Sequence, residues 1–393
     1  MTVVESTKSC FFLGAGIHTC LGKTVAENLS GLKLPPPVKT HLTCHLGDQA
    51  ITVPYFTLSG SLPDGSEQRL FDTLHTVITH ALSEANLNSE QQRQMGVFLG
   101  SSSFDIAITE KTFSTTLKNG PHSQTIPLMN PSFANLAQKI IHHFDIRGID
   151  YSFNTACTSS VNALLSAKKH IDAGIIKHAL IIGVELHNHV TALGFNGLGL
   201  ISQTEMKPFQ DTMDGLILGE GVSALVIGSI ADQKPIFRLL GGRSQSDTYS
   251  MSASNPDGSS MASVMRNALQ TTGVSHQQIQ AIKTHATACQ SNDAAEAAAM
   301  HTLFESMPPL CALKPHIGHT LGACGLNELI LFYKALESGF LISTPTDQEN
   351  LGELNLTLND RPTPVQPGHF MLNYFGFGGN NTSIIISNEG QHH

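Results

Sequence analysis

Three short motifs, rich in small residues and far apart in the chain, most constrain what this sequence can fold into. They occupy residues 154–160, 283–289 and 314–323, and each contains one reactive side chain: Cys157, His285 and His319. A thiolate nucleophile needs partners that move protons and polarise a carbonyl, and imidazole rings do both near neutral pH. The fold must therefore bring one cysteine and two histidines together from distant segments.

Composition narrows the class of protein. The 393 residues are 40% hydrophobic, which suits a globular chain with a sizeable core. Lys and Arg number 22 against 31 Asp and Glu, which gives a net charge of −9 without a basic block. We therefore expect no nucleic-acid partner. We also expect no membrane span, because no apolar run approaches the ~18 residues that a spanning helix needs.

Cysteine usage indicates a reducing compartment. The seven cysteines show no paired spacing. An odd count without a convincing signal peptide is typical of reduced thiols in a cytoplasmic protein. The apolar run at residues 9–17 is short and His18 interrupts it, so it predicts a buried first strand rather than a signal peptide.

Short apolar runs alternate with longer helical patterns along the chain. Alternation of this kind predicts an α/β fold with crossover helices around buried sheets. The predicted strands are 10–16, 95–100, 178–185, 223–230, 236–240, 370–374 and 381–387. The predicted helices are 70–85, 131–143, 158–173, 261–271, 294–305 and 321–338.

A pattern that occurs twice suggests that the chain consists of two related halves. Cys157 stands directly before a helix that closes at Gly174, and His319 stands directly before a helix that closes at Gly339. We place the seam near residues 230–235. The predicted domains are therefore 1–232, which carries the nucleophile, and 233–393, which carries both histidines.

The position of Cys157 favours reactivity. A sulfur at a helix N-terminus lies near unpaired N–H groups and the positive end of the dipole, which lower a thiol pKa from about 8.5 toward neutrality. A buried structural cysteine is the alternative. His319 also heads a helix, where a cation is disfavoured, so a neutral ring donating from Nε2 is expected. For each histidine alone, a structural hydrogen-bonding role is the alternative.

At these residues the chain resembles the elongating β-ketoacyl-acyl carrier protein synthases of the thiolase superfamily. The resemblance runs from about Cys10 to Ser387. It rests on the nucleophile motif at 155–160, the first histidine motif at 283–289 with Asp293 and Glu296, and the second histidine motif at Lys314, Gly318, His319, Gly322 and Ala323. The glycine-rich loop at 373–379 and a signature at 208–221 complete it.

The resemblance implies a five-layered αβαβα fold with the active site between two pseudo-duplicated halves. It also implies a decarboxylative Claisen condensation on carrier-bound chains, without a metal or an organic cofactor. Cys157 would hold the acyl chain, and His285 and His319 would stabilise the enolate of the malonyl group. The expected partners are an acyl carrier protein and a second subunit, in a homodimer or a heterodimer with a related chain.

The resemblance further assigns supporting roles. Lys314 and Glu328 would orient the histidines, with Asp293 and Glu296 as additional support. The backbone N–H groups of Cys157 and Phe375 would hold the oxyanion. The remaining expected contacts are a gate at Phe375, Gly376 and Phe377, and pantetheine binding at Thr287 and Cys289.

Several positions depart from the family pattern. Lys283 stands where the family usually has Glu, and Cys289 replaces a threonine that would bind pantetheine. Ala286 and Ala288 stand at positions that are often glycine in the family. Beside the gate, Tyr374 replaces a smaller residue and Asn380 replaces a threonine. These departures suggest a specialised polyketide or aryl-polyene pathway.

Three other functions are alternatives. A thiolase usually has a second catalytic cysteine near the C-terminal glycine loop, and residues 370–387 contain none. A non-catalytic chain-length partner typically lacks the nucleophile, which is present here. Neither His187-x-His189 nor residues 41–45 supplies a complete tetrahedral ligand set, so the sequence does not favour metal binding there. Arg69 is a candidate contact for the carrier protein, and a solvated surface arginine is the alternative.

Overall fold

Two groups of five strands with the same connectivity form the framework of the protein. The computed structural model describes residues 10–118, 133–229, 237–251, 253–345 and 352–389. In these residues the strands are β1 Cys10–His18, β2 Thr40–Leu46, β3 Gln49–Phe56, β4 Gly96–Gly100, β5 Asp150–Phe153, β6 His178–Glu185, β7 Leu218–Gly219, β8 Gly221–Gly228, β9 Arg238–Ser246, β10 Ile279–Lys283, β11 Leu310–Cys311, β12 His369–Phe375 and β13 Asn380–Ser387.

Eleven α-helices lie within the described residues. They are α1 Val25–Gly31, α2 Glu67–Ala85, α3 Ser89–Arg93, α4 Ile106–Lys118, α5 Phe133–His143, α6 Ser159–Asp172, α7 His189–Gly197, α8 Ser259–Thr272, α9 Gln290–Leu303, α10 Lys314–Ile317 and α11 Cys324–Glu337. No helix of this part of the chain is long and apolar enough to cross a membrane.

Strand pairing reveals the duplication. One ladder runs in the order β5-β4-β6-β8-β1-β9-β13-β12-β10-β11. Outward from β1, the successive pairings are antiparallel, antiparallel, parallel and parallel. Outward from β9, the same series recurs. The two groups therefore share strand order and direction, as expected for the two related halves that the sequence predicts.

The two halves of the ladder form separate layers, because β1 and β9 pair through only two residue pairs. Helices α6 and α11 lie between them, and each follows the third strand of its own half. Helix α2 covers the outer face of β1 and β8, while α8 covers β9 and β13 and packs on α9. This arrangement confirms the predicted αβαβα fold. The predicted boundary between residues 232 and 233 lies outside the described residues and stays a prediction.

A glycine at the end of β4 lets the nucleophile helix approach the sheet. A Cβ atom on Gly100 would lie 2.4 Å from the Cα of Ser160 in the first turn of α6. No side chain fits in that space without displacing the helix. The close contact therefore sets where α6 begins, and hence where the preceding Cys157 lies.

The predicted elements correspond to structural elements, with shifted ends. The seven strands are β1, β4, β6, β8, β9, β12 and β13, and the six helices are α2, α5, α6, α8, α9 and α11. Of the predicted positions, 131, 132, 230 and 236 lie outside the described residues. The hairpin of β2 and β3, which joins β7 in a separate three-stranded sheet, was not predicted.

Candidate active site

A strained turn presents the cysteine. Ala156 has a φ of 52°, a left-handed conformation that is unfavourable for a residue with a side chain. Ser159 holds this turn, since its hydroxyl donates to the Ala156 carbonyl at 2.6 Å and accepts from the Thr155 N–H at 2.9 Å. Cys157 follows at the start of the α6 region and is 6% exposed.

His319 lies directly beside the sulfur. Its Nε2 is 3.1 Å from Sγ of Cys157. The backbone N–H of Leu321 donates to Nδ1 of His319 at 3.3 Å, so the hydrogen-bond network assigns the ring proton to Nε2. The imidazole therefore presents an N–H donor to the site.

His285 completes the group of reactive side chains. Its ring lies 5.7 Å from that of His319, measured between centroids, at an angle of 88°. Nζ of Lys314 lies 3.2 Å from Nδ1 of His285 and donates to the His285 carbonyl oxygen at 2.6 Å. An ammonium at Nδ1 can only donate, so this ring also carries its proton on Nε2.

Both imidazoles are neutral. Burial, followed by the positive charge of Lys314, holds the pKa of His285 and of His319 well below the usual 6.5. Burial also opposes the charge of Lys314, but the nearby Glu328 carboxylate outweighs it and raises the pKa of the lysine. Oε1 of Glu328 lies 2.9 Å from Nζ of Lys314. The site therefore combines neutral N–H donors with a fixed cation behind them.

The pKa of the Cys157 thiol differs from the one that its position at a helix N-terminus predicts. Burial raises the pKa of Cys157 to about 11, although the Phe377 N–H and the Lys314 charge act to lower it. Loss of water around the sulfur disfavours the thiolate more than these two groups favour it. The raised pKa therefore favours the thiol form of Cys157 at neutral pH.

Two buried carboxylates shape the His285 loop. Glu296 accepts the backbone N–H groups of His285 at 2.8 Å and of Ala286 at 2.9 Å. Asp293 accepts those of Thr287 at 2.9 Å and of Ala288 at 3.1 Å. Ala286 and Ala288 have φ values of 50° and 58°, where glycine would be favoured. The carboxylates thus stabilise a backbone conformation that is unfavourable for the two alanines of this loop.

The glycine-rich loop places a different phenylalanine at the sulfur than predicted. The backbone N–H of Phe377 lies near Sγ of Cys157 and acts to lower the pKa of the thiol. The Gly376 N–H instead donates to the Asn380 carbonyl at 2.9 Å, within the β12–β13 connection. Phe375 ends β12, and its ring lies 6.0 Å from that of His285. Phe377 is therefore the loop residue whose N–H lies near the sulfur, and the expectation that the Phe375 N–H holds the oxyanion stays a prediction.

A pocket of about 430 Å³, including its mouth, opens over the sulfur. Cys157, His285 and His319 line it together with both residues predicted to bind pantetheine, Thr287 and Cys289. All twelve predicted site residues are described. Ten lie in the pocket wall or in direct contact with a reactive histidine or its loop. The other two adjoin them: Gly376 lies between Phe375 and Phe377 in the chain, and Glu328 contacts Lys314.

Sequence reasoning missed two residues that build the site. Glu185, fully buried at the end of β6, accepts the N–H groups of Ser102 at 2.9 Å and of Gly322 at 3.0 Å. It thereby links the loop after β4 to the turn that follows His319. A carboxylate that ends an otherwise apolar strand was the available signal. Phe195 of α7 stacks on Phe377 with centroids 5.7 Å apart, and no sequence signal marks it.

Arg69 has neither of the roles considered for it. Its guanidinium donates to both carboxylate oxygens of Glu220, at 2.8 and 2.6 Å. The Arg69 side chain is 9% exposed and that of Glu220 is fully buried. A buried bidentate pair is a structural contact, so Arg69 is not free to bind a carrier protein.

The fold, with a cysteine facing two neutral imidazoles, defines an acyltransferase of the thiolase-like condensing class. Family models agree: that of the β-ketoacyl synthase N-terminal domain matches residues 66–232, and that of the C-terminal domain matches residues 237–346. Together they cover more than half of the chain. The protein belongs to the β-ketoacyl synthase family, whose members act in fatty acid or polyketide biosynthesis.

Relatives span both kinds of biosynthesis. The chain is 27% identical over 359 residues to the chloroplastic 3-oxoacyl-[acyl-carrier-protein] synthase I of Arabidopsis thaliana, covering 84% of this chain and 75% of that protein. It is 24% identical to 3-oxoacyl-[acyl-carrier-protein] synthase 2 of Coxiella burnetii, covering 78% of each. A highly reducing polyketide synthase of Emericella nidulans is 30% identical over 277 residues, which is 65% of this chain and 11% of that protein.

Solved structures share the fold. A ketosynthase in complex with its chain length factor from Xenorhabdus doucetiae aligns with a TM-score of 0.83 at 23% identity, covering 98% of this chain and 100% of that one. A β-ketoacyl synthase from Burkholderia phymatum aligns with a TM-score of 0.82 at 24% identity, with the same coverage. These likenesses show a common architecture.

Proposed function

We propose that this protein condenses a malonyl group, carried on an acyl carrier protein, with an acyl chain held as a thioester on Cys157. The observation that carries this proposal is the 3.1 Å contact between Sγ of Cys157 and Nε2 of His319. The His285 ring completes the group, with its centroid 5.7 Å from that of the His319 ring. One nucleophile and two uncharged N–H donors in a common pocket suit acyl transfer followed by carbanion chemistry.

In the first step, Cys157 takes the acyl group from the carrier. Its sulfur attacks the carbonyl carbon of the incoming thioester, and the bond from that carbon to the pantetheine sulfur breaks. The proton of the Cys157 thiol ends on the leaving pantetheine thiol. The N–H groups of Cys157 and Phe377 are the donors we assign to the oxyanion; one such donor is typically worth about 2.7–4 kcal/mol.

In the second step, the malonyl thioester loses carbon dioxide. The electron pair of the broken C–C bond forms an enolate, whose oxygen would accept from Nε2–H of His285 and of His319. The enolate carbon then attacks the thioester on Cys157 and expels its sulfur as a thiolate, which takes up a proton from water. Lys314 and Glu328 act as positioning residues, because Lys314 fixes the His285 ring and Glu328 fixes Lys314.

Partners and pathway are finer parts of the proposal. We infer an acyl carrier protein as substrate donor, in the cytoplasm, and a dimer with a second copy or with a related subunit. The likeness to a ketosynthase that is bound to its chain length factor supports the heterodimer. Thr287 and Cys289, which line the pocket, are the residues we assign to pantetheine. The departures at Lys283 and Cys289 support a polyketide or polyene chain over primary fatty acids.

Intact-mass spectrometry with acyl- and malonyl-carrier substrates tests the reaction. Wild type should gain one acyl mass and release a product two carbons longer, whereas Cys157→Ala should gain none. Cys20→Ala, a change at a partly buried thiol that does not line the pocket, is the control and should behave as wild type. His285→Ala and His319→Ala should still acylate but lose most of the condensation. Equal acylation of wild type and Cys157→Ala would refute the assignment.

A further inference from the structure

Three side chains of the types that can ligate a metal ion lie together outside the reaction site. Cys44, His187 and His189 each offer one ligand atom, and these three atoms all lie within 4.8 Å of one another. Nε2 of His187 is 3.9 Å from Sγ of Cys44. The rings of His187 and His189 have centroids 5.5 Å apart. Nothing in the proposed condensation uses these residues.

The group combines two segments that are distant in sequence. Cys44 lies on β2 and is fully buried, while His187 lies in the connection from β6 to α7 and His189 is the first residue of α7. Each segment alone offers too few ligands, which is why the sequence did not favour a metal site. The fold supplies the missing ligand from across 143 residues.

The backbone around the two histidines is already held by carboxylates. The N–H of His187 donates to Glu220 at 3.0 Å, and the N–H of His189 donates to Glu110 at 2.9 Å. The loop conformation that places both imidazoles beside Cys44 is therefore fixed without using the rings. His189 is exposed, so an ion can enter from solvent.

The donor set defines the class of ion. One thiolate sulfur and two imidazole nitrogens are typical ligands of Zn²⁺, at about 2.0–2.3 Å, with the fourth position left to water in open sites. Ligands at those distances in a tetrahedron are about 3.5 Å apart. The 3.9 Å contact between Cys44 and His187 therefore needs only a small movement of the side chains.

We propose that Cys44, His187 and His189 bind one Zn²⁺ ion, which fastens the start of α7 to the β2–β3 hairpin. Helix α7 carries Phe195, which stacks on Phe377, and the N–H of Phe377 lies near Sγ of Cys157. The ion would thus stabilise the helix that supports the loop over the nucleophile. It takes no part in bond making or breaking.

Metal titration of the untagged full chain tests the site. We would use the Cys157→Ala protein as background, so that no ion binds between that thiol and His319. Zn²⁺ should bind at one equivalent in competition with a chelator. Co²⁺ should bind with a thiolate-to-cobalt charge-transfer band in the near ultraviolet, which Cys44→Ser should abolish.

Exposed histidines provide matched variants. His189→Ala should weaken zinc binding at least about tenfold and should remove any rise in the unfolding midpoint on adding zinc. His45→Ala, an exposed histidine next to Cys44 on the same strand, should change neither. The proposal is wrong if no stoichiometric zinc binds, or if His189→Ala binds zinc as tightly as His45→Ala. Because His189 is exposed, a folding defect does not obscure this result.

Discussion

Nζ of Lys283 lies 2.6 Å from Oε2 of Glu328, in a region from which water is excluded. The same carboxylate faces Lys314, so Glu328 holds two buried ammonium groups. Lys283 also donates to the Asn373 carbonyl at 2.7 Å, and its Nζ lies 3.6 Å from the ring centroid of Tyr374. Burial lowers the pKa of Lys283, and Glu328 opposes that shift.

This contact explains two departures from the family pattern as one change. Lys283 replaces an acidic residue and Tyr374 replaces a smaller one, and the structure places the ammonium over the aromatic ring. A cation over a tyrosine face is stabilised most when it is desolvated. We therefore expect the two positions to be energetically coupled.

A double-mutant cycle with Lys283→Met and Tyr374→Leu should give a coupling free energy of about 1–2 kcal/mol in urea unfolding. Tyr374→Phe is the matched control, because it keeps the ring. The buried Tyr374 hydroxyl has no hydrogen-bond partner within the described residues, so Tyr374→Phe should not destabilise the protein. A coupling near zero, or a large loss with Tyr374→Phe, would contradict the interpretation.

The raised pKa of Cys157 predicts a particular reactivity profile. With a pKa of about 11, the thiolate fraction, and hence the rate of alkylation, should rise about tenfold per pH unit from pH 7 to 9. Peptide mapping by mass spectrometry would follow Cys157 alone, with a cysteine-containing peptide as the reference thiol. A rate that levels off near pH 7 would instead support the lowered pKa predicted from sequence position.

The contrast between these two outcomes shows what the sequence could and could not predict. Cys157, His285 and His319 were recognisable because local motifs carry them, and local patterns also revealed the repeated halves. The pKa of Cys157 differs from the one that its position predicts, because desolvation depends on everything that packs around the sulfur. No local pattern contains that information.

The other features that the sequence did not reveal have the same origin. Phe375 and Phe377 occupy similar positions in a glycine-flanked loop, and only the fold determines which N–H points at Cys157. Arg69 looked exposed because its partner Glu220 lies 151 residues away. The β2–β3 hairpin was missed because half of its residues face solvent and dilute the apolar pattern.

Glu296 should make stability depend on pH in a defined direction. Burial raises its pKa from 4.5 to about 7, so the folded state binds more protons than the unfolded state between these values. Its contribution to stability is therefore present below about pH 4.5 and is lost as the pH rises through 7. The destabilisation caused by Glu296→Gln should accordingly be smaller at pH 8 than at pH 5.

Urea unfolding of wild type and Glu296→Gln across that range measures the trend. Glu305→Gln, which removes an exposed carboxylate in the same half, controls for the change in net charge. A destabilisation by Glu296→Gln that instead grew with pH would contradict this prediction. It would mean that the two backbone N–H donors lower the pKa of Glu296 more than burial raises it.

Cys289 offers a test of substrate contact in the pocket wall. It stands where the resembled family has a threonine, and a thiol donates only a weak hydrogen bond. Cys289→Thr should restore a hydroxyl donor for the pantetheine arm. A net gain of about 0.5–1.5 kcal/mol corresponds to a KM for malonyl-carrier that is about two- to tenfold lower, with little change in kcat.

Cys289→Val separates hydrogen bonding from shape in this test. Valine has the branched form of threonine but no hydroxyl, so the KM should fall with Cys289→Thr and not with Cys289→Val. Steady-state rates with malonyl-carrier, at saturating acyl donor, measure both constants. An equal fall in KM for the two variants would mean that side-chain shape is responsible. An unchanged KM with Cys289→Thr would mean that the pantetheine arm does not contact position 289. The assignment of Thr287 to the same arm would then lose the support of its neighbour.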